Sequence, residues 1–260
     1  MNVWIVLPTY NEADNLEVMV ETLLDKLDWS PARPGDSGTL EDQDGPAAGG
    51  NSTPQISILV VDDNSPDGTG DLAESIVEAR AGRVQVLHRA GKLGLGSAYI
   101  AGFSLALERG ADVIFEMDAD FSHSPEYLPQ MLRLLEDHDV VVGSRWAPGG
   151  KLDEHWPLWR YLLSKYANLY ARWVTGLKVH DPTAGFKAYR ASALRALPLD
   201  RVRSDGYAFQ IEVAMACHRH GLDVAELPIY FEERVRGTSK MSWKIIAEAT
   251  WRVWQIRSRW

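Results

Sequence analysis

Short apolar runs alternate along the chain with longer segments of helical spacing. Val3–Leu7 is apolar up to Pro8 and predicts a buried strand followed by a loop. Within Glu12–Leu27, Leu16, Val20, Leu23, Leu24 and Leu27 recur at the spacing of one helix face. Ile56–Val61, Val84–Leu87, Asp112–Met117 and Val140–Val142 predict four further strands. Helices are expected from a Thr69 cap to Arg80, from Gly94 to Arg109, and after Ser124-Pro125-Glu126, where Pro125 suits a first turn. Fully apolar strands alternating with helices predict an α/β fold with a mostly parallel sheet covered on both faces.

The second half is less regular. Trp156–Trp173 reads as an aromatic helix, Phe186–Tyr189 as a short strand, Tyr207–His218 as a helix and Val224–Phe231 as one strand. The last twenty residues again have helical spacing. Residues 31–54 are rich in Gly, Pro, Ser and Asp and are expected to form a mobile surface loop, a tolerated insertion before the second strand. A partner-binding or regulatory loop is the alternative. The expected organisation is therefore a catalytic domain over residues 1–240 and a C-terminal amphipathic helix over 241–260.

In parallel sheets ligands bind beyond the carboxyl ends of the strands. Four polar clusters follow the predicted strands: Pro8-Thr9-Tyr10-Asn11-Glu12, Asp62-Asp63, Asp118-Ala119-Asp120 and Gly143-Ser144-Arg145. Two carboxylates one residue apart can share a hard divalent cation, which would bridge a diphosphate. A solvated acidic turn is the plainer reading of that pair alone. Asp62 or Asp63 can accept hydrogen bonds from a nucleobase or ribose, whereas Asp67-Gly68-Thr69 reads as a turn and helix cap. Lys92-Leu93-Gly94-Leu95-Gly96 opens a helix and can approach a phosphate, although it lacks P-loop or dinucleotide spacing. Arg145, Arg234 and Lys240 are the candidate phosphate-binding cations, and Arg234 to Lys240 is a polar, glycine-containing loop after an apolar strand.

In their order these motifs resemble the family 2 glycosyltransferases, and within them the dolichol-phosphate (polyprenyl-phosphate) mannose synthases. The downstream motifs agree: Asp181-Pro182-Thr183-Ala184-Gly185-Phe186-Lys187, Tyr207-Ala208-Phe209-Gln210-Ile211-Glu212, and Arg234 to Lys240. The resemblance covers nearly the whole chain except residues 31–54. It implies a GT-A fold and an inverting transfer of mannose from GDP-mannose to a polyprenyl phosphate. It places Pro8, Tyr10, Glu12, Val61 and Asp63 around the nucleoside and assigns Asp118 and Asp120 to Mg or Mn. Ala119 would give backbone contacts to the nucleotide. Ser122 stands where some relatives carry Gln as a further metal ligand, so it joins the candidate metal set. Arg145, Arg234 and Lys240 would hold the diphosphate and the acceptor phosphate. The acceptor is already anionic near neutral pH, so alignment, metal charge and basic clamps suffice and no general base is assigned. The alternatives are the same fold with another donor, such as UDP-glucose, and a non-catalytic nucleotide-sugar-binding protein, which would be expected to have lost Asp118, Asp120 or the basic residues.

Charge and apolar content refine the list of partners. A net charge of −9 argues against nucleic acid as a general partner. Cys217 is the single cysteine, which rules out an internal disulfide and suits a reducing cytoplasm. The start shows no signal-peptide pattern, and no stretch reaches the roughly 20 apolar residues of a bilayer span. Membrane contact, expected at the cytoplasmic face, would be peripheral or through a membrane-embedded accessory protein. Trp156, Trp159, Leu163, Tyr166, Tyr170 and Trp173 form a stripe among Arg160, Lys165 and Arg172, and the C-terminal segment carries Trp243, Trp251, Trp254 and Trp260 with four cations. Such helices either pack their aromatics on the core or lie in the headgroup layer.

Overall fold

A computed structural model describes residues 1–27, 54–232 and 243–260. The chain runs β1 (Asn2–Thr9), α1 (Ala13–Leu27), β2 (Gln55–Asp62), α2 (Thr69–Ala79), β3 (Val84–His88), α3 (Leu95–Glu108), β4 (Val113–Glu116) and α4 (Leu128–Leu134). It continues with β5 (Val140–Ser144), β6 (Lys151–Leu152), α5 (Leu158–Thr175), β7 (Lys187–Arg190), α6 (Ala191–Ala196), α7 (Gly206–Arg219), β8 (Val224–Pro228), β9 (Tyr230–Phe231) and α8 (Trp243–Arg259). Most of the predicted segment 31–54 lies outside the described residues.

Among the described residues, seven strands form one sheet in the order β3-β2-β1-β4-β7-β5-β8, and β6 pairs with β9 beside it. β1 pairs in parallel with both β2 and β4, β2 with β3, and β5 with β8. β7 is antiparallel to both of its neighbours, so β4 and β5 still point the same way. This is the mostly parallel, helix-flanked sheet expected from the apolar strands.

Each strand divides its apolar residues between two cores, as a pleat of period two requires. Val3, Ile5 and Leu7 of β1 join Ile58 and Val60 of β2 under α1, α2 and α4, with Leu16, Leu23, Ala73 and Met131. Trp4, Val6, Leu59 and Val61 face the opposite side, against Tyr99, Phe103, Leu194, Phe209 and Val213 of α3, α6 and α7. A third cluster joins α5 (Ala171, Val174), α7 (Ala208, Ile211, Met215) and α8 (Val253, Ile256). Arg259 Nη1 and Trp260 Nε1 also donate to Glu212 Oε1 at 2.5 and 3.1 Å, tying the last helix to α7.

Three local expectations change. The predicted strand Val224–Phe231 is split, because Pro228 has no N–H to extend a ladder; Tyr230–Phe231 pairs with β6 instead. The aromatic helix begins at Leu158, since a residue before proline, here Trp156, is disfavoured in the helical region. Thr69 is the first residue of α2 and not its cap: Gly68 takes the cap position at φ 89°, while the Asp67 carboxylate accepts the Thr69 N–H at 3.1 Å.

Candidate active site

The rim beyond the carboxyl ends of β1, β2, β4 and β5 collects the polar clusters. Register places Thr9 opposite Asp62, and Val6 opposite Glu116 two residues before Asp118. The first two loops are laced together: the backbone N–H groups of Asn11, Glu12 and Ala13 donate to Ser65 Oγ, Thr69 Oγ1 and an Asp67 oxygen. Glu12 accepts from Asn15 Nδ2 at 2.8 Å and so closes the first turn of α1. Pro8 and Tyr10 are half-buried beside it, and Val61 is wholly buried in β2. Lys92 Nζ stands 3.9 Å from the Tyr10 ring centroid, a cation–π contact.

Asp63 is buried and its two oxygens are engaged. Oδ1 accepts from Arg89 at 2.5 Å and Oδ2 from the Leu93 N–H at 3.1 Å. On the far side of the same loop, the Gly96 N–H donates to Asp205 Oδ1 at 2.8 Å. The 92–96 loop that the sequence offered as a phosphate cradle is therefore pinned by two carboxylates of the chain itself.

Asp118 and Asp120 flank the buried Ala119 just past β4. The Asp118 carboxylate accepts from the Tyr99 hydroxyl at 2.9 Å, and its N–H donates to His123 Nδ1 at 3.0 Å. Asp120 Oδ1 accepts from both the N–H and the hydroxyl of Ser122, at 3.1 and 2.6 Å. Phe121 between them sits at φ 63°, a left-handed conformation that a bulky side chain adopts at a cost of about 1–3 kcal/mol. Ser122 thus orients Asp120 from within the same turn. The two carboxylates suit a hard divalent cation. Among the described residues no third His, Cys, Asp or Glu forms a cluster with them.

Below this pair lies a buried polar network. The Tyr189 hydroxyl donates to Glu116 Oε2 at 2.8 Å, Gln210 donates to Glu116 Oε1, and Lys187 donates to Gln210 with its ammonium 3.8 Å from Glu116. Burial pushes the Glu116 carboxyl above and the Lys187 ammonium below their ordinary values, although each charge favours the other. Burial and the Asp118 and Glu116 charges raise the Tyr99 hydroxyl well above its usual range, which keeps it a donor.

Arg145, one of the candidate phosphate-binding cations, is paired within the fold. It is buried, and its Nε and Nη2 donate to the two oxygens of Asp181 at 2.7 and 2.8 Å, with Nη2 also reaching Thr183 Oγ1 at 2.9 Å. Asp181 is wholly buried; burial alone would raise its carboxyl, but the Arg145 charge and hydrogen bonds outweigh that and hold it below the usual carboxylate value. Arg234 and Lys240 lie outside the described residues. Tyr99, His123, Asp181, Glu116 and Gln210 received no role from the sequence reading. Asp181 and Gln210 stand inside the 181–187 and 207–212 motifs and His123 directly follows Ser122, the signals that could have marked them, whereas Tyr99 sits in a plain apolar helix pattern.

Several aromatic residues of α5 and α8 are largely exposed, whereas Trp156, Tyr170 and Trp260 pack partly on the core. Trp159, Tyr166 and Trp173 are 61%, 64% and 72% exposed, and Trp251 is 66% exposed. Trp173 and Trp254 meet edge to face at 6.1 Å, joining the two helices into one aromatic surface. No helix among the described residues is long and apolar enough to cross a membrane.

The comparisons agree with this geometry. The chain is 43% identical over 258 residues to the polyprenol monophosphomannose synthase of Mycolicibacterium smegmatis, covering 98% of this chain and 87% of that one. It is 44% identical over 262 residues to the undecaprenyl-phosphate mannosyltransferase of Micrococcus luteus, covering 100% and 96%. Its fold is similar to that of glucosyl-3-phosphoglycerate synthase from Mycobacterium tuberculosis, solved with Mn2+, uridine diphosphate and glucosyl-3-phosphoglycerate, at a TM-score of 0.61 and 18% identity, over 99% of this chain and 79% of that one. Residues 4–197 match the family described as Glycosyl transferase family 2. A GT-A sheet with its acidic pair on the ligand rim, and relatives matched along nearly the full length, place the chain in glycosyl transferase family 2, as a hexosyltransferase.

Proposed function

We propose that the chain transfers mannose from GDP-mannose to a polyprenyl phosphate, with inversion at the sugar carbon, on a membrane surface. The observation that carries this reading is the carboxylate pair Asp118 and Asp120 on the ligand rim of a chain whose 43–44% identical relatives are named for mannosyl transfer to polyprenyl phosphates. Pro8, Tyr10, Glu12, Val61 and Asp63 form the nucleoside side of the site. There each oxygen of Asp63 keeps a second lone pair for a base N–H. Asp118 and Asp120 would hold Mg or Mn, with the Ala119 backbone against the nucleotide. When bound, the cation would neutralise charge on the departing diphosphate. The Mn2+ in the structurally similar glucosyl-3-phosphoglycerate synthase supports a divalent ion.

Arg234 and Lys240 hold the acceptor phosphate and the diphosphate in this reading. Arg145, oriented by Asp181, joins them in binding these phosphates. The acceptor phosphate attacks as the anion, so no residue needs to remove a proton; the chain supplies alignment and charge. The exposed aromatic surface of α5 and α8, with Arg160, Lys165 and Arg172 on α5, lies in the headgroup layer of the cytoplasmic face and brings the lipid phosphate to the rim. The purified chain should move radiolabel from GDP-mannose into organic-extractable polyprenyl phosphate, and chelator should stop it. Transfer from UDP-glucose but not from GDP-mannose would overturn the donor assignment.

A further inference from the structure

We propose that Tyr99 is a positioning residue for the divalent cation, its hydroxyl fixing the Asp118 carboxylate in the orientation that ligates. The inference rests on the reading of Asp118 and Asp120 as the metal pair. The two carboxylates are oriented by different means. Asp120 accepts two hydrogen bonds from Ser122 in its own turn. Asp118 is held from outside its turn, by a phenol that comes from a different helix on one side of the sheet.

The placement of that phenol is built into the packing of α3. A Cβ at Gly102 would stand 2.4 Å from Val6 Cγ1, so α3 presses on β1 at a distance that glycine permits. A Cβ at Gly96 would stand 2.7 Å from Phe209 Cδ2, so α3 also closes directly on α7. Between these contacts the Tyr99 ring stacks on Phe209, with centroids 6.0 Å apart and planes 7° apart, and on Phe103 at 5.8 Å. The ring is wholly buried, and its hydroxyl emerges 2.9 Å from Asp118 Oδ1. The ring has no room to turn away, and a buried hydroxyl that loses its acceptor is costly. The backbone of Asp118 is fixed as well, through its N–H to His123 Nδ1, with the imidazole stacked on Phe186 at 5.1 Å. Both the backbone and the carboxylate of this one ligand are therefore set before any cation arrives, and such outer partners typically account for about 10–100-fold in metal affinity.

Tyr189 supplies an internal control. It is another wholly buried tyrosine, 5.6 Å from Phe103, but its hydroxyl donates to Glu116 and not to Asp118. Tyr99→Phe keeps the ring stack and removes only the bond to Asp118. Mn2+ binding to the full chain, with GDP present, is read by electron paramagnetic resonance of the free ion for wild type, Tyr99→Phe, Tyr189→Phe and Asp118→Asn, alongside thermal melting of each. The expected result is binding by wild type, about 10–100-fold weaker binding by Tyr99→Phe, a change of under about threefold for Tyr189→Phe, and the largest loss for Asp118→Asn. Transfer by Tyr99→Phe should recover toward the wild-type kcat as Mn2+ is raised, with the defect in the metal KM. Equal affinities for wild type and Tyr99→Phe would overturn the proposal for Tyr99 alone. Equal losses in the two Phe variants would overturn it in favour of general loosening of the core. No binding by wild type would overturn the metal reading itself, and the proposal with it.

Discussion

Replacing Asp181 by Asn removes one charge from a pair that the fold has sealed off. Asp181 is wholly buried and accepts from Arg145 Nε at 2.7 Å, Arg145 Nη2 at 2.8 Å, the Arg145 N–H at 3.1 Å and Thr183 Oγ1 at 3.1 Å. An amide at that place turns a donor toward at least one guanidinium N–H and leaves Arg145 buried without a counter-charge. Losing one partner of a buried pair costs about 3–5 kcal/mol, a large share of the 5–15 kcal/mol that holds a typical protein folded. For a chain of this size that corresponds to a fall of roughly 6–20 °C in Tm. Urea unfolding read by tryptophan fluorescence gives the difference directly. The pH dependence adds a sign. The Asp181 carboxyl is held below its ordinary value, so the pair's contribution is present above the unfolded carboxyl's pKa of about 3.9 and is lost as pH falls through the folded value. The gap between wild type and Asp181→Asn should be full at neutral pH and close in acid. Arg145→Met combined with Asp181→Asn should lose less than Asp181→Asn alone, because the unpaired buried charge is gone. A loss under about 1 kcal/mol for Asp181→Asn, or a gap that widens in acid, would refute the account of Arg145 as a fully paired buried cation.

Further expectations concern the rim and its supports. Asp120→Asn should lower transfer by at least about 100-fold while the fold persists, since Ser122 can still hold the side chain but one ligand charge is gone; full turnover in excess chelator would remove the metal assignment. Gly102→Ala should destabilise by about 1–3 kcal/mol in thermal melts, because its Cβ would meet Val6 Cγ1 at 2.4 Å; an unchanged melt would mean that α3 lifts off β1 freely. Trp173→Ser with Trp251→Ser should weaken co-sedimentation with anionic vesicles yet leave GDP binding intact, as both rings are largely exposed; unchanged sedimentation would take the surface of α5 and α8 out of membrane contact. Arg234→Ala and Lys240→Ala should each cut transfer by about 100-fold without unfolding the chain, and near-normal kinetics in both would leave the phosphate clamp without support.

The apolar strands and the helical spacings determined the layered architecture, because burial on both faces of a strand is written in its residues: Val3–Leu7 and Ile56–Val61 are apolar along almost their whole length and read as buried strands. The polar clusters were legible for the same reason, since a parallel sheet carries every strand's carboxyl end to one rim. Short pieces were missed or misjudged where a single proline or a two-residue pairing decides, as at Pro228 and β6. Pairings across the fold needed the tertiary structure. No local pattern says that a tyrosine in α3 reaches Asp118, that Asp205 takes the Gly96 N–H, or that Asp181 engages Arg145. Those contacts join residues 19 to 109 positions apart, and sequence periodicity speaks only of neighbours within a turn or a pleat. The exposure of Trp159, Trp173 and Trp251 belongs to the same class: an amphipathic pattern predicts that one face is apolar, and only the packing of α5 and α8 on α7 decided which aromatic residues the core covers and which it leaves outside.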